Sequence, residues 1–184
     1  MIDFAVQPSA IDGLVIVTMK QISDERGTVR EFFRRSAFES AGVVDLGPIE
    51  QVNVTETRRG AVRGIHAEHM TKLVAVVFGE AFGVYVDMRR ESSTFGAVET
   101  VTLVPGTQVL VPRGVGNSFQ AIADGTQFAY CFDQEWRPGM AGTACTPLDP
   151  ALGIEWPLPI DVDDRAQISE KDLAAPTFQE ATRA

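Results

Sequence analysis

Lys72-Leu73-Val74-Ala75-Val76-Val77-Phe78-Gly79-Glu80-Ala81-Phe82-Gly83-Val84-Tyr85-Val86-Asp87 reads as two apolar strands joined by a turn at Phe78-Gly79-Glu80. The residues are β-branched and aromatic, and each apolar run has strand length rather than helix length. Working outward, runs of the same kind predict strands over residues 14–19, 29–34, 50–55, 61–67, 72–78, 81–89, 98–104, 108–111, 118–123 and 127–132. Ala123-Asp124-Gly125-Thr126 reads as a second turn. Helical periodicity is nearly absent; short helices are expected at 36–41, capped by Ser36, and at 171–175, stopped by Pro176. Many short strands at even spacing predict an all-β double-sheet jelly roll or barrel, an architecture that can enclose a small ligand.

The chain has 184 residues and 45% hydrophobic content, enough for one domain spanning residues 1–184. From about residue 137 onward, Pro138, Pro147, Pro150, Pro157 and Pro159 break any long element, so this part reads as a C-terminal wrap over the barrel. The net charge of −9 argues against nucleic acid as a partner. It leaves room for one phosphorylated small molecule, because a local arginine cluster can override the global sign. Cys131 and Cys145 form no metal-ligand spacing and read as free thiols in a reducing cytoplasm. The N-terminal residues show no signal-peptide pattern, and no apolar run has the length of a membrane span.

Only two histidines occur, so His66 in Arg63-Gly64-Ile65-His66 is the leading candidate for a base at neutral pH. Strand alternation places Val62, Gly64 and His66 on one face, with Arg63 on the other. Lys72 opens the next strand and either snorkels to solvent or supplies a positive charge. Asp87 shares a face with Gly83 and Tyr85 and needs a partner, structural or catalytic. Tyr130 offers an acid, and Asp172 in Ile168-Ser169-Glu170-Lys171-Asp172 offers a carboxylate to orient the histidine. A metal site is the competing reading. His66 and His69, three positions apart, fall on opposite strand faces; His66 and Glu68 can share one, but two ligands are too few. No metal is therefore expected. Arg26, Arg30, Arg34, Arg35, Arg58, Arg59 and Arg63 are dense for an acidic chain and read either as solvated strand edges or as a diphosphate clamp.

In order along the chain, several phrases resemble the dTDP-4-dehydrorhamnose 3,5-epimerase family of the cupin superfamily. They are Asp24-Glu25-Arg26-Gly27 with Glu31, Gln51-Val52-Asn53, Arg63-Gly64-Ile65-His66, Lys72-Leu73-Val74, Val86-Asp87-Met88-Arg89, Ser93-Thr94-Phe95-Gly96 and Val111-Pro112-Arg113-Gly114. Tyr130, Gly153-Ile154-Glu155-Trp156-Pro157 and Ser169-Glu170-Lys171-Asp172 complete the series. The resemblance implies a cupin-type double-stranded β-helix and an isomerase that needs no cofactor and no metal. It implies a dTDP-4-keto-6-deoxyhexose substrate, epimerised at C3, C5 or both on the way to the rhamnose precursor. It also implies His66 as base with Asp172 behind it, Lys72 at the enolate oxygen, Tyr130 as acid on the opposite face, and Asp87 supporting the network near His66 and Lys72. Arg63, Gln51, Asn53, Asn117 and Trp136 would contact the ligand. Arg26 and Glu31 would lie on a strand exchanged in a homodimer and reach the partner's nucleotide.

The chain departs from the family pattern at Asn117, where a histidine is usual, at Val29, where an aromatic is usual, and at Ala67-Glu68, where an aromatic–glutamine pair is usual. A monofunctional 3- or 5-epimerase and a non-catalytic sugar-nucleotide-binding cupin are the alternatives. The base, acid and lysine together argue against pure binding. Arg63 and His66 can reach one ligand only if a bulge at Gly64 breaks the alternation.

Overall fold

A computed structural model describes residues 1–43 and 46–183. Thirteen strands account for most of the regular structure among these residues. In chain order they are β1 (Ala5–Pro8), β2 (Val15–Thr18), β3 (Lys20–Asp24), β4 (Gly27–Glu31), β5 (Gln51–Thr57), β6 (Val62–Glu68) and β7 (Lys72–Phe78). They continue with β8 (Ala81–Asp87), β9 (Val98–Leu103), β10 (Thr107–Val111), β11 (Val115–Ala121), β12 (Thr126–Phe132) and β13 (Gly142–Ala144). Three short helices, α1 (Arg35–Ser40), α2 (Glu170–Leu173) and α3 (Phe178–Ala181), are added at the periphery.

All strand pairings are antiparallel. One sheet runs β1-β2-β10-β7-β12-β5, the other β13-β6-β11-β8-β9, and β3 with β4 forms a separate hairpin. The stretch from Lys72 to Asp87 is the joint of this jelly roll, because β7 belongs to the first sheet and β8 to the second. Its alternation explains the burial. Val74 and Val76 from β7 meet Tyr85 from β8 between the sheets, with Val109, Phe119 and Phe128. Phe119 and Phe128 stack with ring centroids 4.1 Å apart. The outer face of the five-stranded sheet is covered by the C-terminal segment, where Cys145 and Leu152, with Ile154, Trp156 and Phe178, pack on Ile65, Val84 and Val86. Phe38 of α1 and the neighbouring Phe4 and Phe33 cover Val17, Leu73 and Leu110 on the other sheet.

The differences from the sequence reading have local causes. β1, β3 and β13 were not anticipated: β1 is an edge strand ending in Pro8, β3 holds polar residues, and β13 is Gly-Thr-Ala. β11 begins at Val115, earlier than expected, because Val115, Gly116 and Asn117 pair with Asp87, Val86 and Tyr85 of β8, and further along the strand buried polar groups find partners of their own. Ser118 donates to the Arg63 carbonyl at 2.8 Å, and Gln120 donates to the Leu158 carbonyl at 2.9 Å. Ser36 does not cap α1: the helix starts one residue earlier, with Arg34 at the N-cap and no side-chain cap, and the buried Phe38 anchors it instead. No helix among the described residues is long and apolar enough to cross a membrane.

Candidate active site

A cleft of about 880 Å³ opens at one end of the jelly roll, between the sheets. That volume suits a ligand of sugar-nucleotide size. His66 and Glu68 enter it from β6, Lys72 from the first residue of β7, Asn53 and Thr55 from β5, Asn117 from β11 and Tyr130 from β12.

β6 is the element that assembles the site. Its register against β11 pairs His66 with Asn117 and Arg63 with Phe119, so three residues of advance on β6 match two on β11. The extra residue is the bulge that the sequence needed, and Arg63 and His66 both line the cleft. Gly64 sits at φ +116, and a Cβ there would lie 2.6 Å from the Asn117 carbonyl oxygen, so the position requires glycine.

His66 Nε2 lies 2.7 Å from Asp172 Oδ1. An ionised carboxylate only accepts, so the proton of the neutral ring resides on Nε2 and leaves Nδ1 unprotonated. Asp172 is held by its surroundings. Ile168 is buried, the Gln167 carbonyl accepts from Val62 N–H at 2.8 Å, and Ser169 caps α2 by accepting from Asp172 N–H at 3.1 Å. Burial works to raise the Asp172 carboxyl, but the hydrogen bond from His66, its charge once the ring is protonated, and the hydrogen bond with Ser169 outweigh it, and the net shift is downward. Asp172 therefore stays ionised.

Lys72 is 3% exposed, donates to the His66 carbonyl oxygen at 3.2 Å and is ion-paired with Glu68. Burial lowers its pKa from the ordinary lysine value, against the raising influence of the Glu68 carboxylate. Tyr130 lies in an aromatic row along β12 between Phe128, at 4.9 Å, and Phe132, at 5.9 Å. Burial pushes its phenol upward, Arg63 opposes this, and Glu68 and Asp172 add to the rise, so it is protonated at neutral pH. His66 stands on the five-stranded sheet and Tyr130 on the six-stranded sheet, which sets the imidazole and the phenol on opposite walls.

The other expected residues divide into two groups. Asn53, Arg63, Asn117 and Trp136 line the cleft; Arg63 donates to Thr57 Oγ1 at 3.1 Å, and Asn117 Oδ1 is buried without a partner. Gln51 stands behind this lining, accepting from Trp136 N–H at 2.8 Å and donating to Asn53 at 3.0 Å. Asp87 is not brought to His66 and Lys72. Its carboxylate is fully buried elsewhere, where it accepts from Arg89 Nε at 2.8 Å and from the hydroxyls of Ser92 at 2.6 Å and Thr94 at 2.7 Å. Of the two readings for Asp87, the geometry supplies the structural ion pair. Arg26 and Glu31 also lie outside the cleft, on the β3–β4 hairpin, where they pair with Asp24 and Arg34. His69 is exposed and does not line the cleft.

Sequence reasoning missed Thr55, Arg137, Arg165 and Lys171 at the cleft and underrated Glu68. Thr55 follows Asn53 by two on one strand, and Glu68 follows His66 by two, so period-2 spacing carried that signal. Arg137 and Arg165 lie in irregular segments without such a signal. With them the lining carries five cations (Arg63, Lys72, Arg137, Arg165, Lys171) against two carboxylates (Glu68, Asp172), in a chain of net charge −9. The site is locally built for an anion.

The family model for dTDP-4-dehydrorhamnose 3,5-epimerase matches residues 8–180. The chain belongs to that family. It is an epimerase of dTDP-linked sugars by this membership and has the cupin jelly roll of its relatives. It is 33% identical over 183 residues to the dTDP-4-dehydrorhamnose 3,5-epimerase of Streptomyces griseus, covering 97% of this chain and 88% of the relative. It is 36% identical over 167 residues to the dTDP-4-dehydro-6-deoxyglucose 3-epimerase of Streptomyces bikiniensis, covering 88% and 82%. The crystal structure of dTDP-6-deoxy-D-glucose-3,5-epimerase from Legionella pneumophila in complex with dTDP-4-keto-L-rhamnose superposes with a TM-score of 0.85 at 33% identity, covering 96% of this chain and 94% of that one. The epimerase family thus unites the ordered phrases of the sequence with the cleft they build.

Proposed function

We propose that this family member epimerises a dTDP-4-keto-6-deoxyhexose by proton transfer, with His66 as base and Tyr130 as acid. His66 Nδ1 takes the proton from the carbon beside the C4 ketone, and the C–H electron pair moves into the carbonyl to give an enolate. The Lys72 ammonium stabilises the enolate oxygen. Tyr130 then delivers its proton to the same carbon from the opposite face, inverting it. Imidazolium and phenolate return to their starting states by exchange with solvent. The placement of base and acid on opposite sheets, with the ammonium at the corner between them, carries this reading.

The cationic lining, Arg63 foremost, serves the diphosphate, and Trp136, half-exposed at the rim, offers a stacking face to the nucleotide or sugar. Both sets of relatives are named for C3, so inversion there is the step to which this reading commits; C5 separates a 3,5-epimerase from a 3-epimerase. Incubation with dTDP-4-keto-6-deoxyglucose, followed by reduction and NMR of the sugar, tests it. Inverted C3 is expected, and a sugar recovered unchanged at both carbons contradicts the function.

The protein acts as a homodimer in this account. The β3–β4 hairpin belongs to neither large sheet and exposes Ile22 at 52% and Val29 at 73%, an apolar surface suited to a partner subunit. Arg26 and Glu31 on that hairpin would then reach the partner's nucleotide. Light scattering should give twice the mass of the chain, and a monomer mass at working concentration overturns the exchange. The buried thiols of Cys131 and Cys145 suit a reducing cytoplasmic setting.

A further inference from the structure

Glu68 has no part in the proton transfers above, yet its carboxylate lies inside the cleft against the lysine that receives the enolate charge. We propose that Glu68 is a positioning residue for the reaction: it is the fixed counter-ion that holds the Lys72 ammonium charged and aimed at the substrate oxygen. The inference rests on the epimerase reading of Lys72.

The geometry is specific. Glu68 is the last residue of β6 and Lys72 the first of β7, so the ion pair spans the corner where one sheet passes into the other. A lysine ammonium has three N–H groups. One goes to Glu68 and one to the His66 carbonyl oxygen, which leaves the third for a ligand in the cleft. The residues in register beside Lys72, Val111 on β10 and Phe132 on β12, are apolar and offer it no charge. The other ionisable groups around the corner are engaged or of the wrong kind. Asp172 of α2 is bonded to His66, Asp133 accepts from Thr71 N–H and from Arg113, Tyr130 is a neutral phenol, and Arg63 is a cation. Among the described residues Glu68 is therefore the carboxylate in contact with Lys72.

An ammonium at 3% exposure loses most of its hydration, and burial drives it toward the neutral amine. The Glu68 charge opposes that drive. In return Lys72, together with His66, overcomes the burial of Glu68 and holds its carboxyl below the ordinary value. A bare structural strut would need only the contact; a counter-ion sets the pH range over which the lysine can act.

The experiment compares the unmutated protein with Glu68→Gln, which keeps the shape and removes the charge. Nitrogen NMR of ¹⁵N-lysine protein without substrate should show the Lys72 titration midpoint falling by about 1–3 pH units in the variant. The alkaline limb of kcat for deuterium exchange should move down with it. An unmoved midpoint and limb in a folded variant overturn the proposal and leave Glu68 as a strut. If Glu68→Gln does not fold, the unmutated protein still decides: the Lys72 resonance should respond as Glu68 protonates at acid pH, and no response there overturns the pairing. Absence of exchange by the unmutated protein sinks the epimerase reading instead, whatever Glu68 does.

Discussion

His66 Nε2 and Asp172 Oδ1 are 2.7 Å apart although 106 positions separate them in the chain. The contact depends on a four-residue helix whose N-cap, Ser169, aims the carboxylate, and on Ile168, which is buried just before it. Replacing Asp172 with Asn keeps the shape but no longer obliges the ring proton to sit on Nε2. The expected result is a loss of about 10²- to 10⁴-fold in kcat with dTDP affinity unchanged. Steady-state kinetics beside calorimetry of dTDP binding checks it; a kcat within a few-fold of the unmutated value contradicts the orienting role.

Tyr130→Phe removes the proposed acid and leaves the base intact. Proton abstraction should persist while inversion falls, so deuterium should enter the substrate without a matching yield of epimer. The ratio of exchanged to inverted sugar, read by NMR, is expected to rise at least about 10-fold. An unchanged ratio would place the proton donor elsewhere.

Gly64→Ala tests the bulge. The new Cβ would lie 2.6 Å from the Asn117 carbonyl oxygen and 2.7 Å from Ser118 Cβ, at a φ of +116. Overpacking and a disfavoured backbone together should cost more than about 2 kcal/mol. Urea unfolding measures this, and an unchanged midpoint contradicts the close approach of β6 and β11.

Asp87 makes a pH prediction independent of catalysis. Burial raises its carboxyl, but Arg89, Ser92 and Thr94 hold it down to about 2, against 3.8 for the free group. A carboxyl lowered on folding stabilises the protein above its unfolded pKa, and that contribution is lost as pH falls through the folded value. The window is therefore about pH 4 to 2. The contribution is at most about 2 kcal/mol, and nearer 1 once solvent screening at the partly exposed Arg89 is allowed for. Urea titrations between pH 5 and 2 should show this loss in the unmutated protein and a smaller slope in Asp87→Asn.

Where the chain alternates apolar and polar residues, or runs apolar at strand length, its fold was legible: β7, β8 and β12 fall close to where the pattern puts them. Elements held by pairing with a neighbouring strand rather than by their own side chains, such as β13 and the start of β11, carry no such signature. At the site, His66, Lys72, Tyr130 and Asp172 were named from residue chemistry and family resemblance. Local alternation alone would have separated Arg63 from His66, and only the pairing of β6 with β11 reveals the extra residue that unites them. The same limit explains Asp87. Its strand face was readable, but the Ser92 and Thr94 hydroxyls that claim it come from a loop folded back on the strand end.

The most direct test is proton exchange in heavy water with dTDP-4-keto-6-deoxyglucose, comparing the unmutated protein with His66→Ala. The account predicts deuterium at C3 for the unmutated protein and none above background for the variant, with dTDP still bound by both. Exchange at the unmutated rate in His66→Ala would contradict it.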